Sequence, residues 1–277
     1  MKITFSFGKN WKNYVKNVVN EKVIEEAKKS LERYEIDFYD KTFIDVGCGS
    51  GLFSLSALLL RAKKVISFDI DKESIEATNL LKTKFKHLIN ESADWDIFCG
   101  DILDRQLVMD LSKKGDIVYS WGVLHHTGRM HEALVNVSQL VKDSGYLILA
   151  IYNHAPSSQF WLQVKQFYNI HRIIQPFLIL LYGTYVILSR IVKQRTLNLR
   201  RERGMHIFYD AIDWLGGYPY EFACFEEIEE FLGKLGFVLK KDCLKLPCGK
   251  GVQTSLLSKL RAIDTGNNEF VFQKLTF

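Results

Sequence analysis

Three glycines alternate in the stretch FIDVGCGSG, at Gly47, Gly49 and Gly51, directly behind a short apolar run. Glycine lets a ligand approach the backbone closely, and a helix starting in such a loop offers free N–H groups. The dinucleotide fingerprint has the spacing G-x-G-x-x-G, which this loop does not follow. Asp45 precedes the first glycine, where a carboxylate repels a pyrophosphate and welcomes an ammonium group. The loop therefore points to a nucleotide-like ligand that carries a cation. A second chemical feature is the histidine pair in YSWGVLHHTG, His125 and His126. Histidine titrates near neutrality and serves as a general base when an acceptor such as a hydroxyl must lose a proton. Both are catalytic candidates; His126 is the better substrate-side one and His125 the better structural one.

These residues need elements to hold them. TFIDV reads as a buried strand ending at Gly47, and GLFSLSALLLRA as a helix that begins inside the glycine loop. KVISFDI, DWDIFCGD, GDIVYSW and GYLILAIY read as further strands, with KESIEATNLLKTKFKHL and MHEALVNVSQLVK as helices among them. Residues 11 to 37 read as helical, with Val15, Val18, Val19, Val23, Ile24 and Ala27 at three- and four-residue spacing. Strand and helix in alternation imply a parallel sheet covered on both faces, and near-continuous apolar strands agree. The histidines then lie at the carboxyl edge of the sheet, where such folds bind ligands. The alternation stops after residue 151 and resumes with FEEIEEFLGKLG and FVLKKDCLKL, and NEFVFQKL is a last strand.

With its glycine loop, the acid in SFDID, CGDILD and the loop after the fourth strand, the chain resembles the class I S-adenosyl-L-methionine-dependent methyltransferases. The likeness is to the small-molecule, ubiquinone/menaquinone-methylase-like type, over roughly residues 40 to 152 plus the two closing strands. It implies a Rossmann-like, doubly wound seven-stranded sheet, mostly parallel with an antiparallel last strand, and a helical lid insert between strands 5 and 6. It implies S-adenosyl-L-methionine as cofactor, with Asp45, Gly47, Gly49 and Gly51 around its methionine part. Asp69 is the match for the ribose acid, whereas Asp71 reads as a helix cap. Asp101 is the match for the adenine amino group, Ile102 offers its N–H to the ring, and Trp121 lies in the loop expected beneath the cofactor. The implied organisation is an N-terminal helical cap at 1–40, a cofactor-binding core at 41–152, a hydrophobic and basic helical lid at 153–222, and completion of the sheet at 223–277.

Further substrate-side candidates lie late in the chain: Tyr152 and His154 after the fifth strand, then His206, Asp210 and Tyr218. DWLGGYPYE reads as an ordered loop that either closes over a pocket or packs in a satellite core; it resembles a methyltransferase subgroup in which HHTG-type and DWxGGYPYE-type loops occur together. Asn10, Trp11 and Tyr14 either cap the cofactor site or only pack.

Residues 173 to 192, IIQPFLILLYGTYVILSRIV, are long enough for a membrane span. A single span there would put strands of one sheet on opposite sides of a membrane. A lid, a dimer contact or a membrane-surface helix remains, with Lys193, Arg195, Arg200, Arg201 and Arg203 as a basic flank. The chain has 277 residues and a net charge of +5, which permits phosphate or membrane contact without requiring it. The N-terminus lacks the apolar core of a signal peptide. Five scattered cysteines without a CxxC pair suggest reduced thiols in a cytoplasmic protein. Cys243 and Cys248 have no histidine at ligand spacing, so no metal is expected.

The expected function is methyl transfer to a small molecule, with oxygen favoured as acceptor on a quinone-like, sugar or other metabolite. Nucleic-acid bases are disfavoured because Ser120-Trp121-Gly122-Val123 replaces the N/D-P-P-Y/F loop of amino methylation; protein arginine is disfavoured because the loop lacks two glutamates. An RNA-modifying enzyme using residues 193–203, and a non-catalytic, cofactor-binding, membrane-associated protein, stay as alternatives.

Overall fold

The computed structural model describes residues 7–90, 93–194, 207–252 and 265–276. Its centre is a seven-stranded sheet of order β3-β2-β1-β4-β5-β7-β6. The strands are β1 (Thr42–Val46), β2 (Lys64–Asp69), β3 (Asp94–Cys99), β4 (Gly115–Trp121), β5 (Val141–Tyr152), β6 (Phe237–Leu244) and β7 (Asn267–Lys274). β1 to β5 pair in parallel, and β7 runs antiparallel between β5 and β6. The order reverses beside β1, so the ends of β1 and β4 leave a crevice at the carboxyl edge.

Side chains alternate across the sheet. Phe43, Val65, Ile117, Tyr119, Ile148 and Val271 enter one core with helices α1 (Gly8–Asn17), α2 (Glu21–Glu32), α3 (Leu52–Leu59) and α4 (Lys72–Lys84). Ile44, Ile66, Val118, Leu149 and Phe270 enter the other with α5 (Arg105–Leu111), α6 (Met130–Leu140) and α10 (Phe225–Lys234). Burial on both faces accounts for the apolar runs of β1, β2, β4 and the second half of β5, whereas the edge strands β3 and β6 are partly exposed and carry Asp94, Asp96, Lys240, Lys241 and Asp242.

The expected helix over 11–37 is two helices. Asn20 leaves helical geometry and its side chain accepts the Val23 N–H at 3.1 Å, capping α2 and separating it from α1. The apolar period runs through both helices because they pack on one core, so period alone hid the break.

The insert between β5 and β6 is helical: α7 (Ser158–Ile170), α8 (Gln175–Gln194) and α9 (Ile207–Gly216). Its own core gathers Trp161, Tyr168, Leu215 and Tyr220. Leu178, Ile179 and Tyr182 of α8 pack on that core, whereas Phe177, Leu180 and Leu181 are exposed. Among the described residues no helix is long and apolar enough to cross a membrane. The basic segment 195–203 lies outside the described residues.

Reduced thiols throughout were expected, but Cys224 and Cys248 form a disulfide across 24 residues. Neither belongs to a CxxC pair; β5, α10 and the loop after β6 bring them together. Cys48, Cys99 and Cys243 are free.

Candidate active site

The glycine loop is a left-handed cradle: Gly47, Gly49 and Gly51 have φ of 74°, 56° and 75°. L-residues avoid that region, and there is no room for them here. A Cβ on Gly47 would lie 2.5 Å from the Val123 methyls, and one on Gly51 would lie 2.6 Å from Thr78. Val123 thus presses the loop after β4 onto the loop after β1. Beside it, Gly122 has φ of 75°, and a Cβ there would meet open space.

Two carboxylates flank the cradle. Asp45 is 3% exposed and accepts the Ser54 hydroxyl at 2.5 Å. Ser54 continues to Ser67 at 2.7 Å, and Trp95 Nε1 donates to Ser67 at 2.8 Å. Burial raises the Asp45 pKa to about 7, and the nearby Asp69 adds to the rise. No cation among the described residues offsets it. Asp69 accepts the N–H of Gly49 at 3.0 Å and of Asp71 at 2.9 Å. Burial raises its pKa to about 6. An acid at the end of β2 therefore grips the glycine loop directly. Asp71 caps α4, accepting the Glu73 N–H at 2.9 Å, and also accepts the Gly8 N–H at 2.9 Å.

Next along the edge, the Gly100 N–H donates to the Asp69 C=O at 3.0 Å, which places Asp101 beside β2. Asp101 accepts the Leu103 N–H at 2.9 Å, and buried Ile102 accepts the Asn136 amide at 2.9 Å through its C=O. Half-buried Trp121 ends β4 opposite Ala150. Asp45, the three glycines, Asp69, Asp101, Ile102 and Trp121 thus follow one edge of the sheet. The arrangement fits S-adenosyl-L-methionine: a backbone cradle, a buried carboxylate short of a cation, and an acid on the next strand.

Helix α1 closes this edge. Gly8 fits against α4 because a Cβ would lie 2.4 Å from the Ser74 nitrogen. Trp11 lies over Gly49, with Nε1 3.0 Å from where a Cβ would be. Asn10 donates to Asp213 at 2.9 Å, tying α1 to α9. Tyr14 is fully buried in the core.

Beyond the histidine loop lies a packed aromatic cluster centred on Tyr152. The ring centroids of His125, Tyr220, Trp214 and His126 lie 3.9, 5.0, 5.3 and 5.4 Å from that of Tyr152. His125 is fully buried; its Nδ1 accepts the Tyr152 N–H at 3.2 Å and its C=O accepts the Glu221 N–H at 2.9 Å. The proton of the neutral ring therefore sits on Nε2, which has no hydrogen-bond partner among the described residues. Burial holds its pKa well below the ordinary value. His126 is half-buried, and its Nδ1 lies 2.6 Å from the Pro219 C=O. A carbonyl only accepts, so Nδ1 carries the proton and Nε2 the lone pair. Burial lowers the His126 pKa to about 3. Gly217 permits this approach, since its Cβ would lie 2.7 Å from His126 Cε1.

Lys165, on α7, is the residue that the sequence reading missed. It is fully buried and donates to the Trp214 C=O. Its Nζ lies 4.0, 4.8 and 5.6 Å from the ring centroids of Trp214, Tyr220 and Tyr152. Burial pushes the amine well below its ordinary pKa, with the Asp213 carboxylate opposing. A signal existed: Trp161, Lys165 and Tyr168 share one helical face, and both neighbours are aromatic.

Of the late candidates, Tyr152 joins both histidines. Tyr218 is half-buried and forms the cis peptide with Pro219, whose carbonyl holds His126. His154 turns elsewhere, stacking on Phe222 at 4.8 Å beside Glu227. Asp210 lies on α9, with its side chain outside the description, and His206 lies outside the described residues.

A doubly wound sheet with β7 antiparallel and a glycine cradle flanked by acids defines the class I S-adenosyl-L-methionine-dependent methyltransferases, whose cofactor is S-adenosyl-L-methionine and whose reaction is methyl transfer (EC 2.1.1). The chain matches the methyltransferase-domain family across residues 19–180 and belongs to it. An uncharacterized protein of Methanocaldococcus jannaschii is 44% identical over 68 residues, 24% of this chain and 28% of that protein. A ribosomal protein L11 methyltransferase of Acinetobacter baylyi is 30% identical over 119 residues, 38% of this chain and 39% of that one. The match thus spans well under half the length of these curated relatives. Among solved structures, a S-adenosyl-L-methionine-dependent methyltransferase of Methanosarcina mazei superposes with a TM-score of 0.51 at 15% identity, covering 90% of this chain and 98% of that one. The complex between the Haloferax volcanii Trm112 methyltransferase activator and a methyltransferase contains a chain with a TM-score of 0.54 at 13% identity, covering 100% and 99%. The [4+2]-cyclase SpnF reaches 0.54 at 10% identity, covering 92% and 81%. These likenesses show the fold alone.

Proposed function

We propose that this chain transfers a methyl group from S-adenosyl-L-methionine to an oxygen of a small, largely apolar acceptor bound beside His126, at the edge of the Tyr152 cluster. The observation that carries this reading is the tautomer of His126. Its Nδ1–H is spent on Pro219, so the Nε2 lone pair is left to accept the proton of an acceptor hydroxyl. The cofactor supplies an activated methyl on sulfur. The chain's residues do the rest: the glycine cradle with Asp45 and Asp69 holds the donor, and the aromatic walls orient the acceptor. As the O–CH3 bond formed and the donor's S–CH3 bond broke, leaving a neutral thioether, the hydroxyl proton would pass to His126 Nε2 and from there to solvent. A pKa of about 3 makes His126 a weak base for removing that proton beforehand. It suits a proton that leaves late, when the methylated oxygen has become strongly acidic.

His125 is assigned to structure, since its Nδ1 and C=O both anchor chain. Phe177, Leu180 and Leu181, exposed on α8, favour an amphiphilic acceptor of the quinone-precursor kind over a sugar. The test is a pair of variants: His126→Ala should lower kcat by about 10²–10⁴ with little change in cofactor affinity, and His126→Asn should not restore it. Equal losses of kcat and of cofactor binding would overturn the assignment.

A further inference from the structure

Outside the aromatic cluster, three segments converge on a second group of side chains. The chain leaving β5 brings His154, the start of α10 brings Cys224 and Glu227, and the loop after β6 brings Cys248. One donor atom each from His154, Cys224 and Glu227 lies within 4.8 Å of the other two. Cys248 joins through its disulfide to Cys224, with a Cα–Cα distance of 5.2 Å. The loop is pressed onto the β5 exit: the Gly249 N–H donates to the His154 C=O at 2.6 Å, and a Cβ on Gly249 would lie 2.1 Å from Pro156. The Asn153 amide holds the Pro247 C=O at 2.8 Å, and Asn268 holds the Leu246 N–H at 2.8 Å. The backbone framework is therefore fixed around these four side chains.

We propose that, once the Cys224–Cys248 disulfide is reduced, His154, Cys224, Glu227 and Cys248 bind one zinc ion. Two thiolates, one imidazole and one carboxylate are the donor types zinc takes, and four of them complete a closed tetrahedral site. Zinc bonds of about 2.0–2.3 Å set donor–donor edges of roughly 3.3–3.8 Å. The cluster needs to tighten by about one ångström, and the two sulfurs to part to the same edge. The carboxylate is already oriented for this. Glu227 Oε1 receives Lys250 Nζ at 2.7 Å and Oε2 receives the Cys224 N–H at 2.9 Å, each oxygen keeping a lone pair for a metal. Cys248 is exposed, so reductant and metal reach it from solvent. A dithiol supplies the two electrons and two protons that turn the disulfide into two thiols, and becomes a disulfide itself. Zinc then displaces both thiol protons. The pairing escapes the sequence because Cys248 does not work with nearby Cys243; its disulfide partner is 24 residues upstream, and its other companions lie on other elements too.

The experiment uses the full chain, reduced with a dithiol, stripped with a chelator, freed of both and titrated with Co²⁺ without oxygen. The expected result is one Co²⁺ per chain, with near-ultraviolet thiolate-to-cobalt absorption and the visible bands of tetrahedral cobalt, all erased by Zn²⁺. The disulfide-intact chain should show neither. Cys248→Ser should about halve the charge-transfer absorption, and His154→Ala should weaken binding by about tenfold or more. Cys243→Ala, on β6, should change nothing. Cys224 also starts α10, so Cys248→Ser and His154→Ala carry the test if Cys224 variants do not fold. No charge-transfer absorption in the reduced chain, absorption that survives Cys248→Ser undiminished, or loss with Cys243→Ala would each overturn the proposal.

Discussion

Asp45 carries a charge problem that a ligand would solve. Its folded pKa of about 7 lies above the ordinary 3.8, so between those values the folded chain holds a proton that the unfolded chain has lost. Ionised Asp45 therefore costs stability as pH rises toward about 7, unless a cation joins it. A ligand ammonium beside it binds the carboxylate form. Affinity for S-adenosyl-L-methionine should then climb with pH and level off above about 7, falling by up to about tenfold per unit below. Calorimetric titration at about pH 6 and about pH 8 should show that slope, and Asp45→Asn should flatten it while weakening binding. An unchanged slope in the variant would assign the proton elsewhere. Lys165 makes a second residue-scale case. Its folded pKa is depressed, so the unfolded chain binds the extra proton and stability should rise with pH up to about 10.5, the ordinary value. Lys165→Met should remove that dependence; the cost of leaving the Trp214 carbonyl unpaired, about 1–3 kcal/mol, should then show by itself above about pH 10.5, where the lysine is neutral in both states. Denaturant unfolding across pH measures both effects.

The elements were more legible than the contacts between them. The central strands announced themselves because burial on both faces leaves little polar interruption, and the glycine loop did so because only glycine fits three left-handed positions. The split between α1 and α2 was hidden: Val15, Val19, Val23 and Ala27 keep one period across Asn20 because both helices face one core. Hidden too was the tie from Asn10 of α1 to Asp213, since no local pattern encodes a contact across 203 residues. The pairing of Cys224 with Cys248 depended in the same way on the placement of β5 and α10. The cradle itself makes an element-scale prediction. Gly51→Ala should cost about 1–2 kcal/mol for its left-handed φ alone, plus the collision with Thr78, and should lower cofactor affinity along with the melting temperature. Normal melting and binding would show that the loop tolerates a side chain there.

For the whole molecule, the sheet order and the match across residues 19–180 place the chain in its family, but neither selects an acceptor. A [4+2]-cyclase superposes as well as a methyltransferase-complex chain does, so function has to be argued from the site. Here the distinguishing parts are the aromatic cluster around Tyr152 and the insert beside it. If α8 handles an amphiphilic acceptor, Leu180→Glu with Leu181→Glu should raise KM for that acceptor. Cofactor affinity should stay unchanged, because neither residue touches the glycine loop. A fall in cofactor affinity instead would mean that α8 supports the donor site. Following a labelled methyl group shows whether it reaches a small molecule. Methyl-labelled S-adenosyl-L-methionine is incubated with the chain and an extract, then separated into lipid, small-molecule, protein and RNA fractions. Label is expected in the lipid or small-molecule fraction and should be lost with His126→Ala. Label in protein or RNA would contradict methyl transfer to a small molecule.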